Sequence, residues 1–400
     1  MTNKRAYMDH NATTPLRPEA RAAAREALDV LGNPSSVHAE GRAVRSLLEC
    51  ARREVAALIG AKSSELTFTS GGTEAAAMAV HAAKAALGVK RLLVSAIEHD
   101  AVLSAAEASG LPVSLVPVDG EGRADLATLK GMLATADRPA LVVLMLANNE
   151  TGVMQPVAEA VEVAHGAGAF LFCDAVQAAG KVPVDFDALG ADMMALGGHK
   201  LGAPMGIGAL AVREDRAFAA RSVGGGQEMR RRAGSENVIG IVGFGAAASA
   251  ARETVQDFAR LAELRNHLEA RIAEIAPDAV FFGAGVERLP NTSYLSAPGL
   301  DAETLLMALD LDGIAVSAGA ACSSGKIGRP RILDAMGMPE TLSRGAIRVS
   351  LGWTSVAADV DRFVESWSRA RKRAHARTEK INTIVPVGMA PDAPLAAVES

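Results

Sequence analysis

The sequence predicts an α/β protein with a larger domain built on a mostly parallel central sheet and a smaller α+β domain. Short apolar runs alternate with longer amphipathic stretches over most of the first 250 residues, a pattern typical of βαβ units. A long helical pattern over 237–276 follows, and beyond it short strands and helices mix. The 400 residues also exceed what one hydrophobic core usually organises. We therefore expect two domains.

Apolar runs mark the expected strands, and amphipathic stretches between them mark the expected helices. In the first part, strands are predicted at 66–69, 91–97, 140–147, 169–175 and 207–212, and helices at 42–59, 73–87 and 157–166. In the second part, strands are predicted at 280–282, 292–295, 315–317 and 346–350. A last helix is expected to start near Val356 and to close at a basic cluster, 371–377. That cluster is interpreted as a solvated helix end, with a docking patch as the alternative.

The predicted domain change falls within the long helical pattern. Residues 15–255 are assigned to the large domain, and residues 1–14 and 256–376 to the small one. Residues 377–400 contain three prolines and little periodicity, which predicts a flexible tail. Because parallel sheets bind ligands at the carboxyl ends of their strands, the site is expected at that edge of the large domain.

Composition and charge exclude several classes of protein. A hydrophobic fraction of 49% is enough for a buried core and excludes disorder throughout. A net charge of -5 offers no global attraction to nucleic acid or anionic lipid. The first twelve residues lack the apolar stretch of a secretory signal, and the apolar run 239–251 is shorter than the roughly 18 residues that span a bilayer. We expect a soluble cytoplasmic protein that neither enters a membrane nor binds nucleic acid directly.

The three cysteines, Cys50, Cys173 and Cys322, lie far apart and without CxxC spacing. Neither a disulfide framework nor a zinc site is therefore expected, and no metal is predicted. Cys50 on an apolar helix and Cys173 inside a strand are interpreted as packing residues. Cys322 lies in a stretch of small residues, 317–328, with little to bury. An exposed, mobile cysteine of this kind is a poor packing residue.

Two patterns indicate a cofactor. In 67–75 a strand is followed by two glycines and Thr73 at a helix start, which suits a phosphate but is equally the pattern of a helix cap. Asp174 ends an apolar strand, and Lys200 follows in a glycine-rich turn. A lysine forms the Schiff base with pyridoxal phosphate and an acid pairs with its pyridinium nitrogen. Each residue alone fits a cap or a surface charge, but the combination favours the cofactor.

A series of short motifs, in order and spacing from residue 7 to about 370, resembles the cysteine desulfurases of the NifS/IscS type. The motifs are MDHNATTP (8–15), SGGTE (70–74), EH (98–99), NNETG (148–152), DAVQ (174–177), GHK (198–200), GGQE (225–228), ACSSG (321–325) and IRVSLG (347–352). The resemblance implies a fold-type I pyridoxal phosphate enzyme. It also implies a homodimer that converts L-cysteine to L-alanine and leaves the sulfur as a protein persulfide.

The resemblance implies a catalytic role for three residues and a ring contact for two more. Lys200 matches the Schiff-base lysine, and Cys322 matches the cysteine that accepts sulfur. His99 matches the histidine that stacks on the ring and moves protons, tasks that suit an imidazole. Asp174 matches the partner of the pyridinium nitrogen, and Gln177 matches the donor to the ring hydroxyl.

The remaining matches concern the phosphate and the substrate. The phosphate-side positions are Gly72, Thr73, Gly197, His199 and Ser235. The last of these matches a hydroxyl that the family reaches across the dimer interface. Asn149 matches a contact to ring and substrate, and Arg348 matches the guanidinium that holds the substrate carboxylate in two parallel hydrogen bonds.

Three positions depart from the family pattern. A serine usually stands where Gly197 lies, a lysine where Met205 lies and an arginine where Met229 lies. The pattern leaves two other functions open, a selenocysteine lyase or transaminase with the same cofactor, and a non-enzymatic iron–sulfur assembly scaffold. The expected partners are L-cysteine, a second copy of the chain and a sulfur-acceptor protein such as an iron–sulfur scaffold.

Overall fold

The structure is a computed structural model that describes residues 5–318 and 330–384, with side chains described as far as residue 376. The predicted sulfur acceptor Cys322 lies outside these ranges. The strands are Ala6–Tyr7 (β1), Leu66–Thr69 (β2), Arg91–Ser95 (β3), Val113–Val116 (β4), Ala140–Met145 (β5), Phe170–Asp174 (β6), Met193–Gly197 (β7), Gly208–Val212 (β8), Val280–Phe281 (β9), Thr292–Ser296 (β10), Ile314–Ala315 (β11), Ser317–Ala318 (β12) and Ile347–Ser350 (β13). The α-helices are Pro18–Ala27 (α1), Ala39–Leu58 (α2), Gly72–Ala85 (α3), Asp100–Ala108 (α4), Leu126–Thr135 (α5), Val157–Gly166 (α6), Phe186–Leu189 (α7), Val238–Thr254 (α8), Ala259–Ile275 (α9), Ala302–Leu311 (α10), Arg331–Ala335 (α11), Glu340–Ser343 (α12) and Ala357–Ile384 (α13).

A seven-stranded sheet in the order β2-β8-β7-β6-β5-β3-β4 forms the centre of the first domain. Five neighbouring strands, β7, β6, β5, β3 and β4, are parallel to one another. Strand β8 runs antiparallel to both β7 and β2. Every residue of β5 and of β7 is buried, as expected for parallel strands covered by helices on both faces. The predicted α/β architecture with a mostly parallel sheet is confirmed.

Local sequence explains how the surrounding helices begin and how closely they pack. Asp125 caps α5 by accepting the backbone N–H of Thr128 at 2.9 Å, which is a favoured role of aspartate at helix starts. Helix α8 approaches α2 through small residues. A Cβ added at Gly245 would lie only 2.5 Å from the Cα of Ala51, so the close contact of these helices depends on glycine at this position.

A second hydrophobic core lies in the C-terminal part of the described chain. It is built on the antiparallel sheet β12-β13-β10-β9 and on α9, α10 and α13. Phe363 and Trp367 of α13 are fully buried in it. The N-terminal segment joins this core because β1 pairs in parallel with β11. The division into 15–255 and 1–14 with 256–376 stays a prediction, which the separate cores support.

The predicted long helical pattern consists of α8 and α9, joined by a 3₁₀ turn at Val255–Phe258. By length and composition alone, the stretch Val238–Ile275 is apolar enough to cross a membrane. Half of its apolar window is buried within the fold. Phe244 lies in the first core and Leu268 in the second, so the apolar residues of this stretch serve packing between elements.

The predicted strands and helices of the first domain are found, with ends that differ by a few residues. Two other predictions are wrong. Helix α13 does not end at the basic cluster but continues to Ile384, because the first proline that could stop it is Pro386. Cys50 is exposed rather than packed, since it lies off the buried stripe of α2 that includes Val44 and Leu48. Cys173 is buried, as predicted.

Candidate active site

A cavity of about 680 Å³ lies at the carboxyl ends of β5 and β6 and is closed on one side by residues of the second domain. Most of the predicted site residues line it together. They are Gly72, Thr73, His99, Asn149, Asp174, Gln177, His199, Lys200 and Arg348. The fold therefore brings these predicted residues into one cavity, although Gly72 and Arg348 are 276 positions apart in the chain.

Two predicted residues are not among the described residues that line the cavity. Gly197 is buried at the end of β7, behind Val176, and a Cβ added there would lie 3.0 Å from the Val176 Cγ1. Ser235 is exposed in the segment before α8. The roles predicted for Gly197 and Ser235 are therefore not supported by their positions in one chain.

Lys200 ends the 3₁₀ turn Gly198–Lys200 that directly follows β7. Its Nζ donates hydrogen bonds to the backbone oxygens of Asn11, at 2.6 Å, and Ala12, at 2.8 Å. The amine of the predicted Schiff-base lysine is thus held at the cavity wall by the N-terminal segment.

Asp174, the last residue of β6, places a half-buried carboxylate at the same wall. One of its oxygens accepts the backbone N–H of Val176 at 2.9 Å. Burial raises its pKa, while that hydrogen bond and the charges of His99 and Lys200 act in the opposite direction. A carboxylate that is largely removed from solvent is stabilised by a cationic partner, so the position favours a ligand that brings a positive N–H group.

His99 is both a capping residue and a wall of the cavity. Its Nδ1 accepts the backbone N–H of Ala101 at 3.1 Å, which caps α4. In neutral His99 this bond requires the proton to reside on Nε2. The ring therefore presents one defined donor while its other nitrogen is held by the helix.

Arg348 extends from β13 across the boundary between the two cores. Its Nη1 donates to the backbone oxygen of Asn149 at 3.0 Å, and its Nη2 donates to the Asp9 carboxylate at 2.8 Å. Among the described residues its buried Nε has no hydrogen-bond partner. An unpaired guanidinium N–H at a cavity wall is suited to a carboxylate ligand.

The start of α3 supplies the features expected of an anion site. Gly72 and Thr73 line the cavity at the first turn of this 14-residue helix. The first N–H groups of a helix have no partner inside it and carry the positive end of the helix dipole. His199, also in the wall, is neutral at physiological pH because burial and the charges of Lys200 and Lys181 lower its pKa to about 4.

Two buried acids in the wall were given no role from the sequence. Glu98 accepts the N–H of Met145 at 2.6 Å, and burial followed by the charge of Asp174 raises its pKa to about 8. Glu150 has its pKa raised to about 7 by burial, against the charge of Arg348. In the sequence Glu98 directly precedes His99, and Glu150 directly follows Asn149. This adjacency to predicted site residues is the sequence signal that could have indicated both acids.

A network of amide side chains under the cavity was also missed. Asn11 accepts from Lys200 on its backbone oxygen, and its Nδ2 donates to the hydroxyl of Thr292 at 2.9 Å. The buried Lys181 donates to Asn11 Oδ1 at 2.7 Å. Asn11 belongs to the first motif, but the sequence pattern does not indicate that it connects the two cores. Within residues 5–318 and 330–384, no group of three or more His, Cys, Asp or Glu residues is arranged to hold a metal ion.

The central sheet is mostly parallel, and its carboxyl edge carries a lysine, a half-buried aspartate and the start of a helix. This combination defines a class of cofactor-dependent enzymes. The chain belongs to the aminotransferase class-V family, whose sequence model matches residues 6–363. Within that family it is similar to several cysteine desulfurases. It is 45% identical over 369 residues to the cysteine desulfurase of Cereibacter sphaeroides, covering 90% of this chain and 94% of that protein.

Two further comparisons agree with this one. The chain is 37% identical over 390 residues to the cysteine desulfurase IscS of Dictyoglomus turgidum, covering 96% of this chain and 97% of that protein. The crystal structure of a NifS-like protein from Rickettsia africae is similar with a TM-score of 0.85 and 31% identity, covering 92% of this chain and 99% of that one. The predicted resemblance to cysteine desulfurases and the predicted fold class are therefore confirmed.

Proposed function

We propose that this protein is a cytoplasmic, pyridoxal phosphate-dependent cysteine desulfurase that converts L-cysteine to L-alanine. The observation that carries the proposal is the meeting of Lys200, Asp174 and His99 with the start of α3 in one cavity. The confirmed family supports it, since relatives along nearly the whole chain are cysteine desulfurases.

The residues of the cavity fit pyridoxal phosphate in both charge and chemistry. Asp174 is a half-buried carboxylate that suits a pyridinium N–H, and the first turn of α3 with Thr73 suits a phosphate. Lys200 supplies the amine that forms the Schiff base. When bound, the cofactor withdraws electrons from the substrate carbon that loses a proton.

Substrate orientation is assigned to Arg348 and Asn149. The guanidinium already spans Asp9 and the backbone of Asn149, and its unpaired Nε is available for the carboxylate of L-cysteine. Each terminal guanidinium nitrogen carries a second hydrogen, so Nε together with one Nη can offer two parallel hydrogen bonds, which fix a carboxylate in direction as well as in place. The amino group of the substrate is thereby turned toward the wall that holds Lys200.

Proton movement is assigned to Lys200 and His99. The amine of Lys200 accepts the proton that the substrate carbon loses, and the Nε2 of His99 provides a donor at the cavity wall. Because Nδ1 of His99 is engaged by α4, accepting a second proton would cost the helix its cap. Because loss of its only N–H proton would leave an imidazolate, neutral His99 assists as a hydrogen-bond donor through Nε2, and Lys200 carries the proton.

Sulfur transfer is assigned to Cys322, which lies outside the described residues. Its thiolate attacks the substrate sulfur, and the bond between that sulfur and the substrate carbon breaks, which leaves a persulfide on Cys322. The electron pair of the broken bond stays with the carbon, which takes up a proton to become the methyl group of L-alanine. We propose that the persulfide then serves a sulfur-acceptor protein, such as an iron–sulfur scaffold.

A homodimer is part of this proposal, and an exposed apolar patch supports it. Arg17 before α1 donates to the hydroxyl of Thr254 at the end of α8 at 3.4 Å, so the two helices run antiparallel. Leu28, after α1, therefore lies toward the start of α8, where Ile239 is also exposed. Large apolar side chains gathered on a surface mark an interface.

Ser235, only four residues before Ile239, is exposed beside this patch. A second copy bound there would bring its Ser235 toward a neighbouring cavity, which is the family arrangement that the resemblance implies. Sedimentation equilibrium measures the expected mass of two chains, and a monomer at micromolar concentration would contradict this part of the proposal.

Purified protein supplied with L-cysteine and a thiol tests the function, with alanine and sulfide measured together. Lys200→Ala should lose the visible absorption of the bound cofactor, while the exposed Lys130→Ala keeps it. Cys322→Ser should keep that absorption but form no persulfide and almost no alanine. Cys50→Ser is the matched control, because Cys50 is the exposed cysteine of the described chain.

The same experiment separates the alternatives. Full alanine production by Cys322→Ser, or sulfur found by mass spectrometry mainly on Cys50 or Cys173, would favour a selenocysteine lyase or another lyase with this cofactor. A protein that binds the cofactor but releases no alanine from L-cysteine would favour the scaffold.

A further inference from the structure

Lys181 is a buried lysine whose amine contacts two side chains of the site. It is 3% exposed, lies seven residues after the end of β6, and is fixed by the turn at Gly180. Gly180 has a φ of +77°, and an added Cβ would meet Leu201 and Ala251 at 3.1 and 3.2 Å. The backbone that carries Lys181 is thus set by close packing that only glycine allows at that position.

The amine of Lys181 has two acceptors, both of them side-chain amides. Its Nζ donates to Gln177 Oε1 at 2.6 Å and to Asn11 Oδ1 at 2.7 Å. In both bonds the Lys181 amine is the donor. A lysine amine carries at least two hydrogens whether or not it is charged, so it can make both bonds in either state. Burial first, and then the charges of Lys200 and Arg348, lower the pKa of Lys181 well below its usual value.

These contacts decide which way the Gln177 amide points. Because Oε1 is bound to Lys181, the nitrogen Nε2 must occupy the opposite side, where it donates to the backbone oxygen of Asn11 at 2.9 Å. An amide nitrogen has two hydrogens, so a second donor remains at the cavity wall that Gln177 lines. With the amide reversed, Gln177 would present an acceptor there.

We infer that Lys181 is a positioning residue that holds Gln177 as a hydrogen-bond donor toward the cofactor ring oxygen. The inference rests on the proposed function, in which pyridoxal phosphate occupies this cavity. A donor stabilises negative charge on the ring oxygen. Without it the oxygen holds a proton more tightly, so the visible absorption of the bound cofactor should titrate at a higher pH.

The test is a double-mutant cycle on the cofactor-loaded protein, comparing Lys181→Met, Gln177→Met and both together. Lys181→Met should raise the pH midpoint of the visible band by about one unit and weaken cofactor binding. In the Gln177→Met background, the same change at Lys181 should add no further shift, because the residue through which it acts is gone. Lys130→Met is the control, because Lys130 is an exposed residue of α5.

The groups whose charge faces Lys181 are Lys200, Arg348, His10 and His199. A direct effect of the Lys181 charge on the cofactor would therefore persist when Gln177 is replaced. An undiminished shift in the double variant would overturn the inference, and so would an unchanged midpoint in Lys181→Met.

Folding is checked by circular dichroism, with Lys181→Gln as a second variant that retains an N–H donor. Lys181→Gln should show a smaller shift than Lys181→Met. Failure of both variants to fold would assign Lys181 to the scaffold and overturn the inference. The proposed function is tested on the unaltered protein alone. It is wrong if that protein shows no visible band with the cofactor or makes no alanine from L-cysteine.

Discussion

At the scale of single residues, Arg348 shows how a side chain is made ready for a ligand. Two of its nitrogens are already bound to Asp9 and to the backbone of Asn149, so its plane is fixed before a substrate arrives. The buried Nε without a described partner is an unsatisfied donor, which costs free energy until an acceptor occupies it. Substrate carboxylate is the acceptor that the proposed function supplies.

Replacement of Arg348 by lysine should weaken L-cysteine binding far more than cofactor binding. The lost bidentate contact is worth on the order of 1.5 to 3 kcal/mol, which corresponds to a KM higher by roughly tenfold or more. Kinetics and a cofactor titration measure the two effects. Arg344→Lys, exposed near the same strand, is the control, and an unchanged KM would remove Arg348 from the substrate site.

Glu98 makes stability depend on pH, and the sign follows from its raised pKa. Its pKa is about 8 in the folded protein against 4.5 ordinarily, so the folded state keeps a proton that the unfolded chain releases. The stabilisation is fully present below pH 4.5 and is lost as the pH rises toward 8.

Glu98→Gln should remove this part of the pH dependence. Between pH 5 and 8 the difference in unfolding free energy should grow in favour of the variant, by up to about 1.4 kcal/mol per pH unit. Denaturant titrations at several pH values, without added cofactor, measure it. Glu107→Gln, exposed on α4, is the control, and parallel pH profiles for Glu98→Gln and the unaltered protein would show that Glu98 titrates normally.

At the scale of elements, the approach of α3 to the end of β6 decides the shape of the anion site. Val176, just after β6, occupies the space beside both Gly72 and Gly197. A Cβ at Gly72 would lie 2.8 Å from the Val176 Cγ2. The two glycines have no side chains, and the branched side chain of Val176 fills the space between them. The three residues therefore pack as one unit.

Gly72→Ala should weaken cofactor binding, because the helix start has to move away from Val176. Overpacking of this kind costs about 1 to 3 kcal/mol, or roughly a fivefold to hundredfold higher Kd. Val176→Ala in the same chain should restore most of the affinity. Gly131→Ala on α5, where an added Cβ meets nothing within 4 Å, is the control, and no rescue by Val176→Ala would refute the packing explanation.

At the scale of the whole molecule, a buried ion pair connects α2 to the distant segment that precedes α8. Arg52 of α2 binds Glu228 through two hydrogen bonds of 2.7 and 2.9 Å, and Glu228 also accepts the N–H of Phe68 at 2.7 Å. Glu228, Met229 and Arg230 all have positive φ. This backbone strain is sustained by the surrounding contacts.

Arg52→Met should lower the free energy of unfolding by about 3 to 5 kcal/mol, since it leaves the buried Glu228 carboxylate unpaired. Denaturant unfolding followed by circular dichroism measures the loss. Arg53→Met, one residue along the same helix and exposed, should change stability little. Equal effects of the two variants would show that the pair adds nothing beyond an ordinary surface arginine.

Much of this molecule could be predicted from local pattern because the pattern and the local physics coincide. Apolar runs with turn residues between them predicted five of the seven strands of the central sheet but not β4 and β7, and the order of motifs predicted the family. The errors have local causes as well. Cys50 lies on the exposed face of a helix whose buried stripe includes Val44 and Leu48, and α13 continues past its basic cluster because basic residues do not stop a helix.

By itself the sequence determined the fold class, the family and most of the predicted residues that gather in the cavity, since these depend on hydrophobic periodicity and on residue types at fixed spacing. Only the tertiary structure decided how those side chains are held. The network from Lys181 through Gln177 and Asn11, the unpaired Nε of Arg348 and the raised pKa of Glu98 all depend on contacts between distant segments and on burial. Neither distance nor burial is contained in local pattern, so these features required the folded chain.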